Sequence, residues 1–261
     1  MVESFPSKFP GGAKVSTPFN EKLFTVNIKS PKLSKENKEL FHTVTAQGLF
    51  ACKRARPDIS PVIAYLTTRV RQPNEDDWKK LVRMIKYLDQ TKQDCLTLKA
   101  TKDTVARWFV DAAFAVHPDQ KSHTGYYMTL GSGAVISSSK KQKLNTRSST
   151  EAELVATDDA AGPMLWTSRF LHEQGYDVKT ILYQDNRSAI LMESNGRSSA
   201  GKRSRHLDIR YFFINDLKEK GLVSIRYCPT EEMVADYMTK PLHGSKFTKF
   251  RNIIMNQTNQ Q

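Results

Sequence analysis

Residues 105–116 read VARWFVDAAFAV. Such a short β-branched and aromatic run predicts a strand. Its centre holds Asp111, and an ionised carboxylate without a partner in an apolar strand costs on the order of several kcal/mol in lost hydration. Two arrangements relieve that cost. The acid can pair with an arginine or face solvent from an edge strand, or it can serve as an oxygen ligand to a divalent cation.

Outward from this strand the pattern stays β-like. TGYYMTL (124–130) and GAVISSS (133–139) are two further strands, with GSG (131–133) as the turn between them, so the three form an antiparallel meander. A helix is predicted from Thr150, because Ser148 and Glu151 have capping-box spacing. Gly162-Pro163 predicts a break or kink before LWTSRFLHEQ (165–174) resumes it. The remainder alternates: KTILYQD (179–185) as a strand, NRSAILMESN (186–195) as a helix, then a Gly, Ser and Arg-rich loop. HLDIRYFFINDLKEKG (206–221) follows as a helix, LVSIRYCPT (222–230) as a strand, and EEMVADYMTK (231–240) as a final helix. A meander followed by alternating helices and strands implies an α/β fold, a mixed sheet covered by helices.

Upstream, residues 1–33 are rich in Pro, Gly and Ser and read as an irregular lead-in. From Ser34 a helical stripe runs through Leu40, Phe41, Val44 and Leu49, and a second helix runs from Pro57-Asp58 to Val70. A third begins at Asn74 as N-cap, with Glu75 to Asp77 in its first turn and Trp78, Leu81, Val82, Ile85 and Leu88 on one face. Its polar face, with Lys79, Lys80, Arg83 and Lys86, is either solvated or tracks phosphates. Residues beyond about Phe250 read as frayed.

The 261 residues carry 40 Lys and Arg against 27 Asp and Glu, a net charge of +13. That imbalance costs self-repulsion unless an anionic partner supplies the missing charge, and nucleic acid is the leading candidate. KRAR (53–56), SSKKQK (138–143) and GKRSRH (201–206) concentrate the charge beside the segments that carry the candidate acids. Cys52, Cys95 and Cys228 are odd in number and lack C-x-x-C spacing, which disfavours a disulfide framework and a structural zinc site. They read as free thiols in a reducing compartment. No apolar run reaches the roughly eighteen residues of a membrane span, and the first residues carry no apolar core of a signal peptide, so neither membrane insertion nor secretion is expected.

Three further acids complete the set. Glu153 lies near a predicted helix start, Asp185 ends the strand ILYQD, and Asp236 lies on the final helix. Individually each has a structural explanation: dipole compensation for Glu153, a strand-to-helix junction capped by Asn186 for Asp185, and an exposed helical face for Asp236. Jointly they can converge with Asp111 over one sheet edge. Four carboxylates without His or Cys make a hard-oxygen site suited to two Mg²⁺ or Mn²⁺ ions.

At these residues the sequence resembles the ribonuclease H of copia-type LTR retrotransposon Pol polyproteins, through VDAAFA, HTGYYMTLGSGAVISSSKKQ, SSTEAELVA, YQDNRSAI, SRHLDIRYFFI and PTEEMVADYMTKPL in order. The resemblance implies a ribonuclease H-like five-stranded mixed sheet with helices on both faces over residues 97–250. It also implies a metal-dependent site of Asp111, Glu153, Asp185 and Asp236 that hydrolyses the RNA strand of RNA/DNA hybrids. Residues 34–96 resemble the helical thumb or connection segment of the reverse transcriptase of such elements, which implies the polymerase core of the same polyprotein as a partner. The lead-in (1–33) and a tail (251–261) lie outside the match. The implied setting is a cytoplasmic virus-like particle or the nucleus. Lys140, Lys141, Lys143, Asn186, Lys202, Arg203, Arg205 and His206 are the expected nucleic-acid contacts.

Two departures bear on this reading. Cellular ribonucleases H carry a mobile His in the loop before the last Asp, whereas CPTEEMVAD (228–236) has none, and His123 and His206 come from other segments. The Tyr-x-Asp-Asp motif of a polymerase is also absent. The competing functions are a nucleic-acid-binding fragment without catalysis and an integrase-like strand-transferase. The latter fits poorly, because the acid that follows Asp185 at the required distance is Glu219, in a charged helix.

Overall fold

The computed structural model describes residues 14–195 and 208–257. The chain divides into two compact units, Met1–Leu96 with Lys240–Gln261, and Thr97–Thr239.

In the first unit, helices α1 (Lys35–Arg54), α2 (Ser60–Arg69) and α3 (Glu75–Gln90) follow one another. Asn74 caps α3 through a full capping box, its side chain accepting from Asp77 N–H while the Asp77 carboxylate accepts from Asn74 N–H. The expected stripe of α1 shifts by a position. Phe41, Val44, Thr45, Gly48 and Cys52 are buried, whereas Leu49 faces outward. Gly48 lets α1 approach closely, since a Cβ there would stand 2.4 Å from Ile63 Cδ1 and make that side chain shift.

Lys80 does not belong to a solvated face. It is buried, with its ammonium donating to the Thr25 carbonyl and the Tyr65 hydroxyl and pairing with Asp76. The described part of the lead-in is irregular yet packed, with Phe19, Leu23 and Phe24 buried. At the other end the expected fraying is not seen among the described residues: Gly244–Met255 form a helix whose Phe247 packs edge-on against Phe19 and Tyr87 of the same unit.

The second unit holds strands β1 (Lys99–Ala100), β2 (Val105–Ala113), β3 (His123–Thr129), β4 (Gly131–Ser132), β5 (Ile136–Lys141), β6 (Lys179–Gln184) and β7 (Ser224–Tyr227). Five of them form a mixed sheet in the order β5-β3-β2-β6-β7. The meander β2-β3-β5 is antiparallel, and β6 and β7 add in parallel. The expected GSG turn instead contributes β4, which pairs with β1.

Helix α4 (Ser149–Glu173) lays a face of four alanines, Ala152, Ala156, Ala160 and Ala161, and of Met164, on the sheet residues Ala106, Trp108, Val110 and Ala112. That face continues past Pro163 to Thr167, so packing carries the helix through the expected break despite the missing N–H. α5 (Arg187–Asn195) and α6 (Asp208–Glu219) follow on either side of the residues not described, with Ile214 and Leu217 joining the same core. The expected final helix is divided. A 3₁₀ turn spans Thr230–Glu232 and a four-residue helix, α7, spans Asp236–Thr239. α7 lies against the other side of the sheet, over Gly125, whose added Cβ would meet Met238 Cβ and Thr239 Cγ2 at 2.6 Å. Helices on both faces of a five-stranded mixed sheet are the ribonuclease H-like architecture that the resemblance implies.

Candidate metal centre

The site begins with strand register. β2 and β6 run parallel with Phe109 opposite Tyr183; two residues further on from each stand Asp111, within β2, and Asp185, just past the end of β6. Asp236 opens α7, which Gly125, the cross-strand partner of Asp111, holds against the sheet. Asp111, Asp185 and Asp236 thereby each bring a carboxylate oxygen within 4.8 Å of the others. Asp111 and Asp236 are buried and Asp185 is half-buried.

Glu153, in the first turns of α4, stands beside this trio. Burial foremost, then the charges of Asp111 and Asp185, push its carboxyl well above the ordinary range, against the favourable Ala112 backbone and Gln184 amide. Like charges gathered out of water repel one another, and a cation of higher charge relieves that repulsion. The donor set is oxygen throughout. The neighbouring Cys228 remains a thiol, pushed up to about 11 by burial and then by Glu232, Asp185 and Asp236, and it donates to the Pro229 carbonyl. Hard ions of the Mg²⁺ or Mn²⁺ type fit such a set better than Zn²⁺.

Neutral groups orient the acids. Thr239 Oγ1 donates to Asp111 Oδ2, and Thr230 Oγ1 donates to Asp185 Oδ2 at 3.0 Å. Gln184 is fully buried. Its carbonyl oxygen accepts from the Asp185 and Asn186 N–H groups at 2.9 and 3.1 Å, while its amide reaches Glu153 at 3.3 Å. It thus joins the β6–α5 turn to α4. Asn186 caps α5 through Ala189 N–H at 3.0 Å. Thr239, Thr230 and Gln184 escape sequence reading, since a hydroxyl or amide is unremarkable until the fold supplies its partner.

Of the expected nucleic-acid contacts, Lys140 pairs with Asp159 at 3.1 Å, Lys141 pairs with Asp119 at 2.7 Å, and Lys143 is exposed. Lys202, Arg203, Arg205 and His206 lie outside the described residues. The three cysteines are free thiols, Cys52 and Cys228 buried and Cys95 exposed. Among the described residues, no helix is long and apolar enough to cross a membrane.

No family model matches the chain. It is similar over 260 residues, 97% of its length, to a retrovirus-related Pol polyprotein from transposon TNT 1-94 of Nicotiana tabacum, at 29% identity. Pol polyproteins from transposons RE1 and RE2 of Arabidopsis thaliana match 76% and 75% of the chain at 32% and 31% identity. The chain spans 19% of the tobacco protein and 14% of each Arabidopsis one. Among solved structures, the ribonuclease H1 called LC11, isolated from compost, aligns over 52% of this chain and 93% of that one, at 15% identity and a TM-score of 0.40. A foamy viral protease-reverse transcriptase in complex with dsDNA aligns over 76% of this chain and 42% of that one, at 13% identity and a TM-score of 0.41. On its sequence relatives, the chain belongs to the Pol polyproteins of copia-type retrotransposons.

Proposed function

We propose that the second unit is a divalent-metal-dependent nuclease that hydrolyses the RNA strand of RNA/DNA hybrids. One observation carries the reading: three carboxylates drawn from a mid-strand position, a strand end and a short helix lie within 4.8 Å of one another, beside a fourth on α4. Membership of a Pol family supports the substrate class, as does the charge of +13.

Asp111, Asp185 and Asp236 would hold the ions, with Glu153 alongside. When bound, two such ions supply an activated water and stabilise the leaving oxygen of a phosphodiester. The chain's own part is to fix the acids: Thr239 orients Asp111, Thr230 orients Asp185, and Gln184 ties the Asp185 turn to Glu153. Such orienting bonds let ligands converge without reorganisation. Lys143 and the basic run at 201–206 would contact phosphates, and selectivity for a hybrid would come from the 2′-hydroxyls of one strand. The polymerase core of the same polyprotein is the proposed partner.

Labelled RNA/DNA, DNA/DNA and RNA/RNA duplexes, each with Mg²⁺ or EDTA, test the reading. The expected result is Mg²⁺-dependent cleavage of the RNA strand in the hybrid alone. A mobility shift without cleavage identifies a binding fragment, and processing of DNA/DNA ends identifies a strand-transferase; either result overturns the proposal.

A further inference from the structure

Beneath α7 runs a chain of buried and half-buried hydrogen bonds that the acid site does not use directly. His117 Nε2 lies 2.9 Å from His123 Nδ1, His123 Nε2 lies 2.7 Å from Ser139 Oγ, and Ser139 Oγ lies 2.7 Å from the Met238 carbonyl oxygen. His117 and His123 are 3% and 0% exposed, so the contact between the rings is closed to water, and Ser139 is half-buried.

The far end sets the direction of the whole chain. A carbonyl oxygen can only accept, so the Ser139 hydroxyl spends its one proton on Met238. Ser139 must then accept from His123 Nε2–H; in a neutral ring this makes His123 Nδ1 an acceptor, and His117 must supply its Nε2–H. With both imidazoles neutral, the two share one tautomer. Their surroundings agree. Burial, then the Lys141 charge, lowers His117 to about 4 against the opposing Asp119, and burial, then His117, holds His123 well below the ordinary histidine range.

Met238 belongs to the single turn of helix that also carries Asp236, in the acid cluster, and Thr239, whose hydroxyl binds Asp111. A four-residue helix cannot satisfy its own carbonyls, and its position depends on what its neighbours supply. Register places that supply accurately. Asp111, Gly125 and Ser139 are cross-strand partners on β2, β3 and β5, so the glycine that lets α7 approach sits between the acid and the serine that grips it.

We infer that His117, His123 and Ser139 form a one-way hydrogen-bond relay that anchors α7 to the sheet and so positions Asp236 for metal binding. The inference deepens the metal-centre reading and rests on it. Ser139 and His123 are positioning residues, since neither touches the acids' proposed cargo.

The first test is independent of catalysis. In ¹⁵N-histidine-labelled full-length chain at neutral pH, NMR should show His117 and His123 neutral, both protonated at Nε2 with protected N–H signals. A charged ring, or Nδ1–H on His123, overturns the relay. The second test titrates Mn²⁺ into full-length wild type, Ser139→Ala, Ser139→Thr and Asp236→Asn. Ser139→Ala should weaken binding about tenfold, the low end for groups that orient metal ligands. Ser139→Thr, which keeps the hydroxyl, should restore it. Wild-type affinity in Ser139→Ala, or a loss that Thr does not rescue, overturns the positioning role if Asp236→Asn still binds weakly. If Asp236→Asn also binds as wild type, the metal-centre reading itself fails and the role falls with it.

Discussion

Buried acids occur in both units, and the two units treat them in opposite ways. In the first, Asp58 is fully buried and receives both Arg56 Nε at 2.9 Å and Arg56 Nη2 at 2.8 Å, with the Tyr87 hydroxyl at 2.8 Å. Asp77, also fully buried, receives Arg69 at 3.0 Å, the Tyr65 hydroxyl at 2.8 Å and the Asn74 N–H at 3.1 Å. Each is neutralised from within its own unit. In the second unit Asp111, Asp185, Asp236 and Glu153 are gathered beside one another, and the side chains that orient Asp111, Asp185 and Glu153 include hydroxyls and an amide. The first pattern holds a fold together; the second stores repulsion that a cation can relieve.

Breaking the first pattern should have the largest effect on stability. Arg56→Ala strands Asp58 in the interior and should cost about 3–5 kcal/mol, read by chemical denaturation. A cost below ~1 kcal/mol, the scale of an exposed ion pair, would remove the contrast between the units.

The paired histidines give a smaller effect, with a definite sign. His117 takes up its proton at about 4 in the folded chain and near 6.5 when unfolded, so its contribution is full above pH 6.5 and is lost as the pH falls toward 4. At about 1.36 kcal/mol per pKa unit the loss approaches ~3 kcal/mol. Lys141, Asp119 and His123 face the ring, and Lys141 opposes protonation. His117→Gln should flatten the unfolding free energy over this window relative to wild type. An unchanged slope would show that the ring is solvated.

Smallest, and opposite in direction to Arg56→Ala, is Glu153→Gln in EDTA. The site holds this carboxyl well above its ordinary range, so the neutral amide of the same shape should raise the denaturation midpoint of the ion-free chain. A lowered midpoint would mean that the acids of the second unit are closed in the manner of Asp58.

What sequence made visible was local. The Asn74 cap, the apolar setting of Asp111 and the strand end at Asp185 each depend on a few neighbouring residues, and the structure retains all three. The gathering of Asp111, Asp185 and Asp236 was legible only jointly, from their places in the predicted elements. Lys80 was misread because its acceptors, the Thr25 carbonyl and the Tyr65 hydroxyl, come from segments 55 and 15 residues away. Thr239 reaches Asp111 across 128 positions and Ser139 reaches Met238 across 99, separations at which no pattern marks the partner. The continuity of α4 through Pro163 was hidden for a related reason: local propensity predicts a break, and the sheet-facing alanines outweigh it.

The central claim is that the acids of the second unit are a nuclease centre, and Asp185→Asn tests it most directly. Asn keeps the side-chain shape and an oxygen to accept from Thr230, so folding should survive while the charge that would hold an ion is lost. With a labelled RNA/DNA hybrid and Mg²⁺ or Mn²⁺, wild-type chain should cut the RNA strand. Asp185→Asn should bind the hybrid at least as tightly and leave it intact, with an unchanged melting temperature in EDTA. An uncut hybrid with wild-type protein, or cleavage by Asp185→Asn at the wild-type rate, would contradict the account.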